Sequence, residues 1–325
     1  MNEQNDDFRT MVQAAAKAPS GHNTQPWLFG IKDNYITIYP DMSESLPVVD
    51  PDNRELYISL GAAIKNLCLE ASRLGYESVV AIDKVENKIT IELIRSYNLN
   101  INTLSNYIDK RQSNKQVYNY QTISSDKIEI LKNTPLSQST NLYIISREEP
   151  LFAELREYIR KGNEIQMNDK DFKDELIDFM RFNKKEIKKK PSGLAYYIIG
   201  SPALPRCIAK PIVKSFLNPS AQNKSDLKKI DSSSHLALFT IKKNTIGEWI
   251  NVGQDLQHFL LETSNLGISN AYMNQPCEVA ELATNMQKHI SLINNEYPVL
   301  LLRIGYTDTT APYSPRKSIE SIIVS

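Results

Sequence analysis

An internal repeat constrains the fold of this chain more than any other feature of its sequence. The stretch Gly61–Tyr76 aligns without a gap with Gly253–Ile268, and both contain Leu, Glu, Ser and a final Leu-Gly at matching positions. Each stretch has apolar residues at helical spacing and a glycine where a helix would end, which predicts two long amphipathic helices. Upstream, Phe29–Asn34 resembles Phe239–Asn244, each at the end of an apolar strand. The repeat indicates two divergent copies of a strand-and-helix unit; chance similarity between amphipathic helices is the alternative.

Hydrophobic periodicity elsewhere predicts a mixture of helices and strands. The predicted helices lie near residues 7–18, 54–74, 126–133, 149–162, 170–188, 205–216, 248–266 and 277–290. The predicted strands lie near 27–39 with a turn at Asp33-Asn34, within 77–96 with a turn at Glu86-Asn87, and near 235–242 and 297–305. Loops are expected at 191–193, 218–223 and 273–276. Asp50 is expected to cap the following helix, with Arg54 in an ion pair. This arrangement predicts an α+β sandwich.

Composition favours a globular protein that acts on small molecules. The 325 residues are 41% hydrophobic, enough for a substantial core in one large or two medium domains. Basic and acidic residues balance at 38 each, so no net field attracts nucleic acid or an anionic membrane. The basic run 184–190 lacks interleaved aromatic residues and is interpreted as a solvated helix end.

Cysteine usage and the first residues point to the cytoplasm. Cys68, Cys207 and Cys277 are odd in number and widely spaced, which argues against a disulfide framework or a zinc site and favours a reducing compartment. The acidic start of the chain does not resemble a signal peptide, and no apolar run is long enough to cross a bilayer. We therefore expect a cytoplasmic protein with no metal site and no membrane partner.

The segment Ala18–Trp27 contains the most specific motif of the chain, Asn-x-Gln-Pro-Trp. Pro19 and Gly21 favour a turn after an Ala-rich helix. Asn23 and Gln25 each donate and accept hydrogen bonds, which suits the mixed polar edge of a heterocyclic ring. The alternative is an ordinary helix-to-strand turn with Trp27 in the core. His22 is interpreted as a turn residue rather than a base.

Two further segments are basic. Arg111-Gln-Ser-Asn-Lys115 is predicted to be extended, so that Arg111, Ser113 and Lys115 project from one face and form a seat for a phosphate. In Ser314–Lys317, the cations Arg316 and Lys317 follow a proline that keeps the chain out of a helix. Taken singly, each of these cations could be a solvated surface charge.

Together, the three segments resemble the flavin-binding set of the nitroreductase family. The resemblance implies an α/β sandwich of mixed, mainly antiparallel sheets flanked by helices, with a tightly held FMN. It implies an oxidoreductase that passes hydride from NAD(P)H, a transient donor, to nitro, quinone or similar small-molecule acceptors. The flavin carries the chemistry, so no catalytic nucleophile is expected. The chain has no Gly-x-Gly-x-x-Gly or Walker loop for a separate dinucleotide domain.

The resemblance also assigns residues to the flavin. It implies that the phosphate and ribityl chain are bound by Arg111, Ser113, Lys115 and Arg316, with Lys317 beside them. The loop of Pro19, Ser20, Asn23 and Gln25 is placed against the ring, and the segment Met273, Asn274, Gln275 along the N5 edge. Lys229 or its neighbour Lys228 is placed near a ring carbonyl.

Typical nitroreductases are two-fold dimers with the flavin at the subunit interface, and the repeat suggests that this chain builds such an interface internally. We expect a first nitroreductase-like half at 1–100 and a second at 101–325, with a helical lid inserted at about 150–230, in a monomer. This pattern resembles the Acg-like branch of the family. Two departures are Lys115, where arginine is commoner, and the long middle region.

Three functions are compatible with the sequence. The first is an FMN-dependent NAD(P)H oxidoreductase. The second is a flavin-sequestering or storage protein whose lid closes the pocket, with little turnover. The third is a flavin-free relative retained as an interaction scaffold.

Overall fold

A computed structural model describes residues 3–83, 88–99 and 101–324. The first of its sheets is built mostly from the first hundred residues. Its strands are β1 (Trp27–Lys32), β2 (Tyr35–Pro40), β3 (Tyr76–Asp83), β4 (Lys88–Arg95) and β11 (Ile323–Val324). The order is β11-β1-β2-β4-β3, with antiparallel pairs except for β11, which runs parallel to β1. The predicted strand-turn-strand at 27–39 is confirmed, whereas the predicted turn at Glu86-Asn87 lies outside the described residues.

The second sheet comes from the other part of the chain. It contains β5 (Thr140–Ser146), β8 (His235–Ile241), β9 (Ser269–Tyr272) and β10 (Tyr297–Gly305) in the order β5-β8-β10-β9. All its pairs are antiparallel, and every residue of β8 is buried. A strand that is buried along its whole length is typical of a sheet covered on both faces. The α+β class with mainly antiparallel sheets is therefore confirmed.

Two long helices, α2 (Arg54–Arg73) and α9 (Ile246–Asn265), cross at the centre of the molecule. They touch at Gly61 and Gly253, two aligned positions of the repeat. A Cβ at Gly61 would lie 2.1 Å from the carbonyl oxygen of Ile250, and a Cβ at Gly253 would lie 2.1 Å from that of Ile58. Ile58 and Ile250 are also aligned positions of the repeat. Each helix therefore contacts the other through equivalent residues, as a pseudo-two-fold axis requires.

The N-terminus of α2 is capped by a side chain that precedes the helix. Both carboxylate oxygens of Asp50 accept hydrogen bonds, from the backbone N–H groups of Glu55 and Leu56, each at 3.0 Å. These bonds satisfy donors that have no partner within the helix, so the predicted cap is confirmed. Arg54 differs from the prediction: its guanidinium donates to the carbonyl of Cys277 at 2.7 Å, and it forms no close ion pair with the residues that the structure describes.

The middle region is more helical and more broken than its sequence suggested. It contains α4 (Pro150–Asn168), α5 (Lys170–Asp178), β6 (Met180–Arg181), α6 (Lys184–Lys189), β7 (Leu194–Ala195), α7 (Arg206–Phe216) and α8 (Pro219–Asp231). The single helix predicted at 170–188 is wrong, since β6 interrupts it and pairs with β7. The loop predicted at 218–223 is also wrong: Asn218 caps α8 by accepting from the N–H of Ala221 at 3.0 Å. Proline is well placed in the first turn of that helix.

The remaining helices complete the two layers around the sheets. They are α1 (Glu3–Ala15), α3 (Ser125–Lys132), α10 (Gln275–Glu278), α11 (Ala280–His289) and α12 (Ile319–Ile322). The predicted helix at 277–290 is thus two short helices, separated at Val279. The main core joins α1, α2, α9 and both sheets, and a smaller one lies between α4, α8 and β10. Among the described helices, none combines the length and apolar character needed to span a membrane.

Candidate functional site

A cleft of about 570 Å³ lies where the N-terminal loop, the middle helices and the C-terminal segment meet. Its walls come from residues 17–23, the first half of α2, residues 108–115, residues 272–278 and residues 312–316. Helices α4 and α5 and the residues around β7 close one side with Met167, Phe172, Leu176, Leu194 and Ile198. This volume falls within the range of cofactor and drug-sized sites.

The loop that lines one wall has an uncommon backbone. His22, Asn23 and Gln25 have φ angles of 47°, 58° and 56°, in the left-handed region that non-glycine residues rarely adopt. Asn23 holds the loop to distant segments: its Nδ2 donates to the carbonyl of Gly193 at 3.2 Å and to that of Pro315 at 3.0 Å. The strained loop therefore connects the middle region to the C-terminal segment.

Three cations face the cleft beside this loop. Arg111 and Arg316 both donate to the carbonyl oxygen of Lys17, at 3.2 and 3.1 Å, and Arg316 also donates to Oδ1 of Asn23 at 3.0 Å. Burial and the positive charge of Arg111 lower the pKa of Arg316 to about 9. Desolvation lowers the pKa of Lys115 as well, helped by the charge of Lys229.

These cations have no acidic partner at hand. Within the described part of the chain, the ion pairs involve other residues and leave out Arg111, Lys115 and Arg316. Arg111 is only 6% exposed, and its Nε has no hydrogen-bond partner. A buried cation such as Arg111 without a counter-charge is costly, and an anion such as a phosphate group would complete the site electrostatically.

Other polar atoms in the cleft are also buried without a partner. They are His22 Nε2, Gln112 Oε1 and Gln275 Oε1. Buried polar atoms are normally hydrogen-bonded, so such a set marks the surface that a ligand contacts. Cations for a phosphate, together with amide groups that donate and accept, fit the chemistry of FMN.

Gln275 is oriented by the middle helices. Its Nε2 donates to Oδ1 of Asn163 at 3.0 Å and to Oδ2 of Asp226 at 3.1 Å. A carboxylate only accepts hydrogen bonds, so the amide nitrogen must face Asp226 and the amide oxygen faces the cleft. Gly162 of α4 permits this approach, since a Cβ there would lie 2.7 Å from Cβ of Gln275.

A pair of carboxyl groups lies on another part of the cleft wall. Glu55 of α2 accepts from Nδ2 of Asn274 at 2.5 Å, and Glu278 of α10 accepts from Nε2 of Gln166 at 2.6 Å. Burial raises the pKa of Glu55 well above its usual value, and the charge of Glu278 adds to this effect. Burial also raises the pKa of Glu278.

The structure brings most of the predicted site residues together. Nine of them line the cleft: Pro19, Ser20, Asn23, Arg111, Ser113, Lys115, Asn274, Gln275 and Arg316. They come from segments far apart in the sequence, as the predicted site requires. Their contact with a cofactor stays a prediction.

The four other predicted site residues do not line the cleft. Gln25 donates to the carbonyl of Pro191 at 2.9 Å, and its Oε1 accepts from the backbone N–H of Lys317 at 2.8 Å. The ammonium of Lys317 forms an ion pair with Glu44 at 3.3 Å. Met273 is buried in the smaller core, and Lys229 pairs with Asp226 at 3.2 Å. The backbone turn and the strand register decide these directions, and neither can be read from residue type.

Several lining residues were missed from the sequence. Gln112, between Arg111 and Ser113, was not assigned to the site, and neither was Glu55 of α2. Asn163, Gln166 and Glu278 lie on α4 and α10, where no motif singles them out. For these three residues the sequence contains no signal, because only the packing of α4 against α10 brings them to the cleft.

The fold and the cleft define an α+β protein with two main sheets and a cleft whose cations suit an anionic ligand. A scan against protein-family models finds no match. A Mycobacterium tuberculosis protein with the provisional name NAD(P)H nitroreductase Rv3131 is 22% identical over 334 residues, which cover 97% of this chain and 90% of that protein. The provisional NAD(P)H nitroreductase acg of the same organism is 30% identical over 70 residues, 22% of this chain and 21% of that protein.

Solved structures give a weaker likeness. The FMN-dependent nitroreductase NfnB of Mycobacterium smegmatis, in complex with NADPH, is 11% identical and covers 67% of this chain and 96% of its own, with a TM-score of 0.43. The FMN and NADPH-dependent NfnB of Sphigopyxis sp. strain HMH is 12% identical and covers 69% and 99%, with a TM-score of 0.44. The sequence relatives confirm the resemblance to the nitroreductase family, which extends over nearly the whole chain.

Proposed function

We propose that the chain is an FMN-binding oxidoreductase of the nitroreductase type, with NAD(P)H as the hydride donor and nitro, quinone or related molecules as acceptors. The observation that carries this proposal is the convergence of Arg111, Lys115 and Arg316 on one cleft without acidic partners. Full-length similarity to a protein named as an NAD(P)H nitroreductase supports the reaction class.

The proposal gives each wall of the cleft a task. Arg111, Lys115 and Arg316 bind the phosphate, with Ser113 beside the ribityl chain. Pro19, Ser20 and Asn23 bind the ring from the loop, and Gln275 contacts a polar ring edge. Bound FMN supplies the hydride chemistry, while the protein orients the ring and excludes water.

The proposal extends to the organisation of the molecule. We place the first half at residues 1–100 and the second at 101–325, with the lid at about 150–230, in a chain that acts as a monomer. The matched contact of Gly61 and Gly253 supports the two-half interpretation. Cys68, Cys207 and Cys277 are free thiols, which supports a cytoplasmic location.

The visible absorption spectrum of the purified chain tests flavin binding. We expect flavin bands and one FMN released per chain on denaturation. A colourless protein that takes up no added FMN would contradict the proposal and favour a flavin-free scaffold.

The second candidate is a flavin-sequestering protein with little turnover. The observation that favours it is the apolar cover formed by Met167, Phe172, Leu176, Leu194 and Ile198 over one side of the cleft. If this cover stays closed, a nicotinamide cannot reach the ring.

Two reductants separate the candidates. An oxidoreductase is bleached by NADH or NADPH and reoxidised by a quinone over many cycles. A storage protein is bleached by dithionite but not by either nicotinamide.

A further inference from the structure

We infer that the side-chain oxygen of Gln275 accepts a hydrogen bond from an amide-type N–H of the bound ligand, and that Asp226 is the residue that positions it. The inference rests on the proposed function and deepens it, because it names the chemical group that this wall of the cleft recognises. Quinones and simple nitro compounds carry no such N–H, so the group belongs to the cofactor or to the hydride donor.

Two buried groups fix the orientation of the Gln275 amide. Its Nε2 donates to Oδ2 of Asp226 at 3.1 Å and to Oδ1 of Asn163 at 3.0 Å. Asp226 is 3% exposed and Asn163 is 1% exposed, so solvent does not compete for these bonds. Both acceptors are oxygen atoms, and only the NH2 group of an amide can donate to them. Both N–H bonds of Gln275 are therefore engaged, and its oxygen lies on the other side of the amide.

The surroundings of Asp226 keep its carboxyl group an acceptor. Nζ of Lys229 lies 3.2 Å from Oδ1 and forms an ion pair with it. Nε2 of Gln222 donates to Oδ2 at 2.7 Å, and Nδ2 of Asn163 donates to the same oxygen at 3.3 Å. A reversed Gln275 amide would place its oxygen against Oδ2 and against Oδ1 of Asn163. That arrangement brings acceptors together without a hydrogen between them and is disfavoured.

The oxygen of Gln275 has no donor among the residues that the structure describes. It is buried, and Gln275 lines the cleft. A buried acceptor without a donor is destabilising, and native proteins rarely keep one that neither a ligand nor water satisfies. In the same cleft, Nε of the almost fully buried Arg111 is a donor without an acceptor. The cleft therefore suits a ligand that donates at one place and accepts at another.

Two molecules of the proposed reaction carry a suitable N–H. The oxidised ring of FMN has a single N–H, at N3, between two carbonyl groups. The nicotinamide has a carboxamide, whose NH2 group also donates. Both belong to molecules with a phosphate, which supplies an acceptor for Arg111. Quinones and nitro groups offer only oxygen atoms, which the oxygen of Gln275 repels.

Flavin analogues test the first source. FMN methylated at N3 keeps the phosphate and both carbonyl groups but has no ring N–H. Fluorescence titration of the flavin-free chain should give a Kd for 3-methyl-FMN about 50-fold above that for FMN, on the scale of a buried polar group left unpaired. In Gln275→Ala and in Asp226→Asn, the ratio of the two Kd values should fall at least about tenfold.

This ratio separates recognition from structural damage. Loss of packing weakens both flavins equally and leaves the ratio unchanged, whereas loss of the acceptor weakens FMN alone. Asp226→Asn acts by letting the amide of Gln275 turn, because an asparagine can donate to its oxygen. The matched control is Asp231→Asn, an exposed aspartate of the same helix that pairs with Arg156. Its ratio should equal that of the wild type.

A second pair of probes tests the nicotinamide. In the 3-acetylpyridine analogue of NAD⁺, an acetyl group replaces the carboxamide and removes its NH2 donors. Calorimetry on the flavin-loaded chain measures both affinities without turnover. A preference for NAD⁺ that Gln275→Ala abolishes, without discrimination between the flavins, assigns the N–H to the hydride donor. Discrimination between the flavins alone assigns it to the cofactor.

The outcomes distinguish this inference from the proposed function. Equal Kd values within both pairs in the wild type overturn the inference and leave the oxidoreductase intact, since flavin is still bound. A preference that Gln275→Ala retains in full overturns it as well. A chain that binds neither FMN nor 3-methyl-FMN overturns the proposed function too, and its colourless spectrum reveals that case.

Discussion

At the scale of single residues, the positions of the cations matter more than their number. Arg111 and Arg316 donate to the same carbonyl of Lys17, so one peptide group positions both guanidinium groups. Lysine at 115 supplies charge without a planar fork, which gives it a freer approach to a phosphate than arginine has.

Removing two of these cations should release the cofactor. We expect Arg111→Ala combined with Lys115→Ala to weaken FMN binding by about 3 kcal/mol, or roughly 100-fold in Kd, on the scale of charged hydrogen bonds. Fluorescence titration of the flavin-free protein measures this. Lys110→Ala is the control, because Lys110 lies outside the cleft and over the ring of Tyr107. Equal affinities would remove these residues from the phosphate site.

His22 should make the stability of the fold depend on pH. Burial lowers its pKa from 6.5 to about 4, so between these values the unfolded chain binds a proton that the folded chain does not. The free energy of unfolding therefore falls as pH drops below 6.5, by about 2 kcal/mol from this residue at pH 5.

The variant His22→Asn tests this dependence. Asparagine tolerates the left-handed backbone at this position and carries no titrating group. Urea unfolding at pH 7 and pH 5 should show a smaller loss of stability in the variant than in the wild type. Part of the loss should remain, since the pKa of His258 is lowered to about 4 as well. A loss equal to that of the wild type would show that His22 is solvated.

At the scale of elements, the crossing of α2 and α9 is the tightest contact. Gly61→Ala should lower the free energy of unfolding by at least about 3 kcal/mol, because the new methyl group would overlap the carbonyl of Ile250. Gly247→Ala, in the first turn of α9, meets open space and should leave stability unchanged or raise it by up to about 1 kcal/mol. Similar values for the two variants in urea unfolding would contradict the crossing.

Elements with strong local patterns could be predicted from the sequence. The repeat fixed both central helices, and alternating residues identified β1 to β4. Local sequence patterns were insufficient where tertiary contacts decide the secondary structure. Strand β6 interrupts a stretch with a helical pattern and pairs with β7, and β11 forms where β1 offers a free edge. Asn218-Pro219 was interpreted as a loop, although the same pair is a good helix start.

The site was predictable in part for the same reason. The motif residues Asn23, Arg111 and Arg316 do meet at one cleft. Gln25 and Lys317 contact each other instead: Gln25, which has a φ of 56°, accepts from the backbone N–H of Lys317. The carboxyl pair depends on packing between α2 and α10, which no local pattern encodes.

At the scale of the whole molecule, residues 17–23, 108–115 and 312–316 line one cleft although they are far apart in the sequence. Since the internal repeat would build the interface of two halves within one chain, we expect a monomer of 37.0 kDa with one FMN. Sedimentation equilibrium with absorbance detection at the flavin band measures both quantities. One flavin per two chains would contradict the internal arrangement.

The short strand β11 joins two parts of the chain that lie far apart in the sequence. Ile323 pairs with Phe29, and the neighbouring Ile322 is fully buried in the main core. Strand β1 therefore keeps an unpaired edge until residues 322–324 have docked against it. A chain cut before Ile322 would expose that edge, which is the kind of surface on which strands of other molecules add.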